Sequence, residues 1–199
     1  MQLISAKAMQ LIGLYSPAAQ SGKTTVGHVL ERTGYVRIPF AEPMKLMLHP
    51  LLRELGYTQD EAAHRLYSAK EQLIDSLGVT TRHLLQTLGT EWGRQCVSPD
   101  MWLRVWKQRV SKYAYVVVDD VRFENEAELI RSLGGEVWHI TRPGVKRSCD
   151  HASEGGLDTW PHFSRYIVNN GTLEELTNAV VAIPFGENGT NPPRGGMAS

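Results

Sequence analysis

Met9-Gln10-Leu11-Ile12-Gly13-Leu14-Tyr15 is a short apolar run that leads directly into Ser16-Pro17-Ala18-Ala19-Gln20-Ser21-Gly22-Lys23-Thr24-Thr25. The run predicts a strand, residues 16–23 predict a turn, and residues 24–32 predict a helix. A strand, a glycine-containing turn and a helix in this order are the setting of the phosphate-binding pattern G-x-x-x-x-G-K-[ST]. Gly22, Lys23 and Thr24 match that pattern, and Pro17 stands at the position of its first glycine.

The chemistry of this segment needs successive backbone N–H groups at a helix N-terminus, where the helix dipole favours an anion. Gly22 lets the backbone approach phosphates, Lys23 reaches the β- and γ-phosphates, and the Thr24 hydroxyl can bind Mg²⁺. The alternative interpretation is a glycine turn with a surface lysine. The strand before the segment and the helix after it favour phosphate binding.

Composition bounds the class of protein. The chain has 199 residues, with 21 Lys plus Arg and 21 Asp plus Glu, so its formal net charge is zero. Nucleic-acid-binding domains are usually strongly basic, so we expect no nucleic-acid partner. No apolar run approaches the roughly 18 residues of a membrane span, and residues 1–7 lack the apolar stretch of a signal peptide. Cys96 and Cys149 show no CxxC spacing. We therefore expect a cytoplasmic protein without a membrane partner, framework disulfides or a zinc site.

Strands alternate with helices along the chain, which predicts an α/β fold with a mostly parallel sheet. Residues 113–120 form a continuous β-branched run, typical of a central strand buried on both faces. Residues 42–111 are predicted to be mostly helical, with Thr81 as a cap and Trp92, Trp102 and Trp106 on helical, core-type positions. Residues 142–163 are predicted to form a loop or lid. The remaining predicted strands cover residues 35–40, 136–141 and 166–168, and the remaining helices cover 124–133 and 172–182.

Two acids, Asp119 and Asp120, stand where the run 113–120 leaves the sheet. In phosphate-loop proteins this position commonly supplies a carboxylate near the metal. The alternative is that an acid caps the helix 124–133. Arg122 follows, and the sequence leaves open whether it forms an ion pair with these acids or clamps a phosphate.

Several segments together, in order, resemble one family, the phage-type deoxynucleoside monophosphate kinases of the phosphate-loop (P-loop) kinase superfamily. The resemblance implies a three-layer α/β P-loop kinase fold with a mostly parallel five-stranded sheet, a helical acceptor-binding region and a lid. It also implies transfer of the ATP γ-phosphate to a deoxynucleoside 5′-monophosphate, with ATP and Mg²⁺. The segments that carry it are residues 20–25, 40–45, 82–91, 100–102, 120–126, 142–144, 151–154 and 169–176.

The resemblance implies roles residue by residue. Catalytic roles fall to Lys23, Asp120 and Arg122. The ATP phosphates would be held by Ala19, Gln20, Ser21, Gly22, Lys23, Thr24 and Thr25, with Thr24 also the metal ligand. The acceptor nucleotide would be bound by Lys45, Lys70, Arg82, Gly89, Thr90, Trp102 and Asp120. The lid would contribute Arg142, Lys146, Arg147, His151 and Glu154. Asn169 resembles the adenine-side turn of such kinases, with an ordinary Asn-Gly turn as the alternative.

The resulting organisation is an N-terminal extension at 1–8 and a single kinase domain at 9–185. Its acceptor-binding region is 42–111 and its lid 142–163, and a disordered tail follows at 186–199. A homodimer is an expectation from the family alone. Two alternatives remain, a P-loop kinase of another small metabolite such as dephospho-coenzyme A and a non-catalytic nucleotide-binding protein. Pro17 departs from the general pattern, whereas Thr24 follows it in place of the family's frequent aspartate.

Overall fold

The computed structural model of the chain describes residues 9–18, 20–145 and 156–183. The expectations for the N-terminal extension, for the tail from residue 186 and for the middle of the lid lie outside these residues. The chain divides into two compact units, residues 1–39 with 109–199, and residues 40–108.

The first unit is built on a five-stranded parallel sheet with the strand order β2-β5-β1-β6-β7. This confirms the predicted α/β class and the mostly parallel sheet. Its strands are β1 (Gln10–Tyr15), β2 (Val36–Arg37), β5 (Tyr115–Val118), β6 (Glu136–Thr141) and β7 (Arg165–Val168).

Helices lie on both faces of this sheet, and they are α1 (Lys23–Arg32), α6 (Glu124–Ser132) and α7 (Leu173–Val181). Ile12 and Leu14 of β1 pack in one buried cluster with residues of α1 and α7. On the other face, Gly13 lies so close to α6 that an added Cβ would be 2.5 Å from Cδ1 of Ile130. Because β1 is covered on both sides, it is apolar along most of its length, as parallel central strands are.

The second unit is mainly helical, as predicted, with two differences. Residues 73–80 form an antiparallel hairpin, and residues 87–97 form a π-helix in place of an α-helix. Thr80, and not Thr81, caps the helix at its N-terminus, because its hydroxyl accepts from the backbone N–H of His83. The elements are α2 (Glu42–Glu54), α3 (Gln59–Tyr67), β3 (Leu73–Ile74), β4 (Val79–Thr80), α4 (Thr81–Gln86), the π-helix (Thr87–Val97) and α5 (Met101–Val110).

Two tryptophans meet the expectation of core packing and one does not. Trp102 and Trp106 are fully buried, and Trp106 packs at a ring-centroid distance of 4.4 Å from Phe40. Trp92 is 41% exposed, so its assignment to the core is wrong. Its ring still borders the buried Trp102, at a ring-centroid distance of 6.1 Å. Helical spacing alone does not say which side of a helix faces the protein, and Trp92 lies on a π-helix, for which a 3.6-residue stripe is not the right period.

Candidate active site

The turn between β1 and α1 has the geometry of an anion site. Gly22, at the N-cap of α1, has a φ of 106°, and Gln20 has a φ of 59°. Among the described residues no side chain caps α1, and its first turn holds no acid. The N–H groups and the positive end of the helix dipole are therefore left for an anion. The Lys23 ammonium lies at the same end, 3.4 Å from the carbonyl oxygen of Ser16.

Two buried groups lie behind this turn. The Ser21 side chain is 1% exposed, and within the described residues its hydroxyl has no hydrogen-bond partner. The side-chain amide of Asn169 donates to the Ser21 carbonyl oxygen at 3.0 Å. Of the other loop residues predicted to hold phosphates, Thr24 is exposed and Thr25 half-buried, and Ala19 lies outside the described residues.

Asp119, the first acid after β5, is held by a residue that the sequence analysis did not single out. Arg37, the last residue of β2 and paired with Val117 of β5, places Nη1 3.0 Å from Oδ2 of Asp119 and Nε 3.4 Å from Oε2 of Glu31. Burial alone would lower the pKa of Arg37, but hydrogen bonds and charge from Asp119 and Glu31 raise it above its ordinary value. Asp119 also packs against α1, since a Cβ added to Gly27 would lie 3.4 Å from the Cβ of Asp119.

Asp120 and Arg122 are both half-buried and both make further contacts. The cap of α6 is supplied by Glu126, whose carboxylate accepts from the backbone N–H groups of Arg122 at 2.8 Å and Phe123 at 3.1 Å. Glu126 therefore makes the capping contacts of α6 that were the alternative role for Asp119 and Asp120. The chain returns to this corner at Gly156, where an added Cβ would lie 2.7 Å from the Arg122 carbonyl oxygen.

In the second unit, the Lys45 side chain has an unusual setting for a lysine. The residue is only 8% exposed, and its ammonium lies 3.7 Å from Oε2 of Glu42 and 4.3 Å from the ring centroid of Tyr67. The Tyr67 hydroxyl donates to the other oxygen of Glu42 at 2.7 Å. A carboxylate and an aromatic face hold the ammonium in one place, so it is a positioned charge.

Lys70 and Arg82, two more predicted acceptor residues, are joined through the backbone, where the Arg82 N–H donates to the Lys70 carbonyl at 2.8 Å. The Arg82 guanidinium is exposed and pairs with Glu71. An exposed guanidinium with a solvent-facing carboxylate partner exchanges that partner at small cost, because such pairs contribute only about 0–1 kcal/mol. Arg82 is therefore able to take a phosphate in place of Glu71.

Gly89 and Thr90 lie on the π-helix, and Trp102 of α5 contacts Gly89. The Trp102 indole N–H donates to the Gly89 carbonyl at 2.9 Å, and the residue is 1% exposed. A nucleoside needs an open aromatic face to stack on, and this burial leaves none. The burial of Trp102 therefore speaks against stacking on the acceptor nucleoside, while its place beside the acceptor site stays a prediction. Gly89, which is buried, and Thr90, which is half-buried, also stay predicted acceptor residues.

Of the predicted lid residues, Arg142 is exposed directly after β6. The other four, Lys146, Arg147, His151 and Glu154, lie outside the described residues. Where the chain resumes, an aromatic cluster lies beside neighbouring residues of β1, β6 and β7. It is formed by Tyr15, His139, Trp160, Phe163 and Tyr166.

This cluster has two polar members. The Tyr15 hydroxyl donates to Asp158, which ties the residue before the phosphate loop to the returning lid segment. Burial lowers the pKa of His139. Sequence patterning gave no signal for the cluster, because its members come from strands that are distant along the chain.

None of the helices in the described residues is long and apolar enough to cross a membrane. The same residues contain no group of three or more His, Cys, Asp or Glu side chains arranged to hold a metal ion.

Comparison with known proteins gives relatives of a single kind. The family profile described as deoxynucleotide monophosphate kinase matches residues 55–180. A putative deoxynucleotide monophosphate kinase of Acanthamoeba polyphaga mimivirus is 31% identical over 188 residues, 87% of this chain and 95% of that protein. The deoxynucleoside-5′-monophosphate kinase of Escherichia phage T5 is 44% identical over 98 residues, 44% of this chain and 39% of that protein.

A third relative, the deoxynucleotide monophosphate kinase of Enterobacteria phage T4, is 31% identical over 106 residues, which are 51% of this chain and 44% of that protein. The matches thus span less than half of the T4 and T5 phage kinases. Among solved structures, TT1252 from Thermus thermophilus superposes with a TM-score of 0.50 at 19% identity, over 88% of this chain and 96% of that one, and this likeness concerns the fold alone. With the profile match and the mimivirus relative, the sequence places this chain in the deoxynucleotide monophosphate kinase family.

Proposed function

We propose that this kinase transfers the γ-phosphoryl group of ATP to a deoxynucleoside 5′-monophosphate, giving ADP and the deoxynucleoside diphosphate. The observation that supports it most directly is the N-terminus of α1, which combines a left-handed Gly22, no side-chain cap within the described residues, no acid in the first turn, and Lys23. An anion is the group that such a helix end accepts. The family supplies the identity of that anion as a nucleotide phosphate.

In the reaction, an oxygen of the acceptor's phosphate forms a bond to the γ-phosphorus of ATP. The bond from that phosphorus to the β–γ bridging oxygen breaks, and ADP leaves with the electron pair. The attacking oxygen is already ionised at neutral pH, so no general base is required. The protein therefore acts by positioning both anions and by neutralising charge on the transferred group.

The donor's phosphates fall to the loop of the first unit. Backbone N–H groups at the start of α1 bind oxygens of the triphosphate, and Lys23 neutralises charge that moves onto the β–γ bridge as the bond breaks. Arg122, half-buried close to the carboxyl end of β5, is the further cation we assign to the transferred phosphoryl group.

The donor set of the loop region also fits Mg²⁺, which prefers hydroxyl, carboxylate and phosphate oxygens. We propose that the exposed Thr24 hydroxyl and Asp120 serve the ion together with the ATP phosphates. When bound, Mg²⁺ would screen the charge on the phosphates and hold the β- and γ-oxygens in one orientation.

We assign binding of the acceptor's phosphate to cations of the second unit. Lys45 supports this assignment because Glu42 and Tyr67 fix its ammonium in place. Arg82 supports it because its guanidinium is exposed and can bind a terminal phosphate through two parallel hydrogen bonds. We place Lys70 beside them because its carbonyl is bonded to the Arg82 backbone.

The test is to incubate the protein with ATP, Mg²⁺ and each of the four deoxynucleoside monophosphates in turn, and to separate the products by ion-exchange chromatography. We expect ADP and a deoxynucleoside diphosphate in equal amounts with at least one acceptor. Hydrolysis of ATP without a diphosphate product would indicate a nucleotide-dependent switch. A parallel reaction offers dephospho-coenzyme A as the acceptor, and a product from it alone would indicate another metabolite kinase. Either result would refute the proposal.

A further inference from the structure

We propose that Asn169 is a positioning residue for the phosphate loop, and that its carboxamide sets the orientation of the peptide joining Ser21 and Gly22. The inference rests on the proposed function, since it takes that loop to hold the triphosphate. Asn169 lies 148 positions from Ser21 in the sequence, in the turn after β7, so the loop's shape depends on a distant part of the chain.

Asn169 is itself held firmly. It is 8% exposed, and its backbone N–H donates to the carbonyl of Thr141, the last residue of β6, at 2.7 Å. Its side-chain Nδ2 then donates to the Ser21 carbonyl oxygen at 3.0 Å. The assignment of nitrogen to this position follows from the partner, because a carbonyl oxygen accepts and the other end of the carboxamide has no hydrogen to donate. The loop is thus tied to the end of the sheet through two consecutive hydrogen bonds.

The geometry of the peptide bond makes this contact matter for phosphates. In a planar trans peptide the C=O of one residue and the N–H of the next point to opposite sides. The Ser21 carbonyl points to Asn169, so the Gly22 N–H points away from it. This N–H stands at the N-cap of α1, among the groups that would bind the triphosphate. If the carbonyl lost its partner, the peptide could rotate and this donor would be misdirected.

The same contact explains why position 22 is glycine. With a φ of 106°, Gly22 lies in the left-handed region, and an added Cβ would be 2.7 Å from Nδ2 of Asn169 and 3.3 Å from Cδ2 of Leu176. Asn169 and Leu176 therefore form a wall directly behind the loop. Backbone conformation and close approach both demand a residue without a side chain.

A different role for Asn169 would be direct contact with the adenine base, and the two roles differ in what a base-free ligand does. Inorganic tripolyphosphate has the three phosphates of ATP and no base. A residue that positions the loop affects tripolyphosphate and ATP alike. A residue that touches only adenine affects ATP and leaves tripolyphosphate binding unchanged.

The experiment measures dissociation constants for ATP and for tripolyphosphate, both with Mg²⁺, by isothermal titration calorimetry on the full chain. The variants are Asn169→Ala, which removes the donor, and Asn169→Asp, which keeps the size but presents only acceptors to the Ser21 carbonyl. Asn178→Ala, the same change at an exposed position of α7, is the matched control. Circular dichroism and the melting temperature establish whether each variant is folded. If Asn169→Ala does not fold, the binding measurements are made on Asn169→Asp.

We expect Asn169→Ala to weaken both ligands by about tenfold or more, since a buried carbonyl is left unpaired. Asn169→Asp should weaken them further, and Asn178→Ala should match the wild type. Weakened ATP binding with unchanged tripolyphosphate binding would overturn the inference and indicate a contact with the base. Wild-type affinity for both ligands would also overturn it, since Asn169 would then affect neither. A wild-type protein that binds neither ligand would overturn the phosphate-loop assignment itself, a result distinct from a failure at Asn169 alone.

Discussion

Replacing Gly93 with alanine tests whether the Trp102 indole determines the packing of the π-helix. A Cβ at this position would lie 2.2 Å from Nε1 of Trp102, 2.7 Å from its Cε2 and 3.0 Å from the Leu88 carbonyl oxygen. Real Cβ atoms do not approach other atoms this closely, so something must move. The indole is fully buried and its N–H is bonded to the Gly89 carbonyl, so it cannot move without losing that hydrogen bond.

The cost follows from these contacts. Overpacking a filled core costs about 1–3 kcal/mol, and leaving the buried indole N–H of Trp102 without its Gly89 partner costs about 1–3 kcal/mol more. Against this, alanine gains about 1 kcal/mol over glycine inside a helix. We therefore expect Gly93→Ala to lower the free energy of unfolding by about 1–5 kcal/mol, measured by urea denaturation with linear extrapolation.

Two further variants make this prediction specific. Gly89→Ala, in the same helix, brings its Cβ to 2.8 Å from the thioether sulfur of Met44, and this flexible side chain can swing aside at little cost. Trp102→Phe removes the atom that Gly93→Ala meets. The double variant should therefore be more stable than the sum of the single changes by about 1 kcal/mol or more. Additive effects, or a Gly93→Ala protein as stable as the wild type, would refute the reasoning.

Four other predictions concern single side chains. Lys23→Ala should lower kcat by about 10³-fold or more, about 4 kcal/mol of transition-state stabilisation, in a steady-state assay of diphosphate formation, while the melting temperature stays near that of the wild type. Arg82→Ala should raise KM for the monophosphate by about tenfold and leave KM for ATP nearly unchanged in the same assay. Arg37→Ala should lower the free energy of unfolding by about 1–3 kcal/mol, because it leaves the buried carboxylate of Asp119 without this cation, and an Arg37→Ala protein with wild-type stability would contradict the ion-pair assignment. Burial lowers the pKa of His139, so the unfolded chain takes up its proton first and stability falls as the pH drops below about 6.5. His139→Phe should remove this part of the acid destabilisation in denaturation curves at successive pH values, and an identical pH profile would count against it.

The sheet of the first unit could be predicted closely from the sequence. Residues 136–141 were expected as a strand and are one. Of the run 113–120, residues 115–118 form the strand, and its last three residues are buried. Such patterns report burial on both faces, which is the property a central parallel strand requires. The phosphate-loop motif could also be predicted from the sequence. Its residues are consecutive along the chain, so its geometry depends on local conformation and not on distant contacts.

Two elements of the second unit, the π-helix and the hairpin, could not be predicted from the pattern of apolar residues. A π-helix has i→i+5 hydrogen bonds, and over 11 residues its apolar spacing resembles that of an α-helix too closely to separate them. The close packing of Gly93 was also not predictable from its neighbours in sequence, because the side chain that leaves no room for a Cβ there belongs to Trp102 on the following helix. The hairpin 73–80 has only two residues in each strand, too few to show alternation.

Side-chain contacts between neighbouring strands of the sheet could not be predicted from the sequence either. Arg37 and Asp119 are 82 positions apart and meet only because β2 pairs with β5. A sequence does not state strand order, so nothing marked Arg37 as the partner of that acid. The two acids after β5 thus differ in what is known of their contacts: Asp119 is paired with Arg37 and packs against α1. Asp120 is the acid that we propose for the metal.

Pro17, the departure from the phosphate-loop pattern, can be placed in the same physical terms. Glycine at that position would offer a flexible backbone and one more N–H donor, and proline offers neither. Other residues supply the turn geometry that a flexible glycine would allow. The Ser16 hydroxyl accepts from the N–H of Ala18 and donates to its carbonyl, and the left-handed conformations occur at Gln20 and Gly22. The loss of the N–H donor is confined to the entry of the loop, because the N–H groups at the start of α1 come after it and keep the helix dipole behind them. A proline here thus restricts how the chain enters the turn and leaves unchanged the N–H groups to which we assign the phosphates.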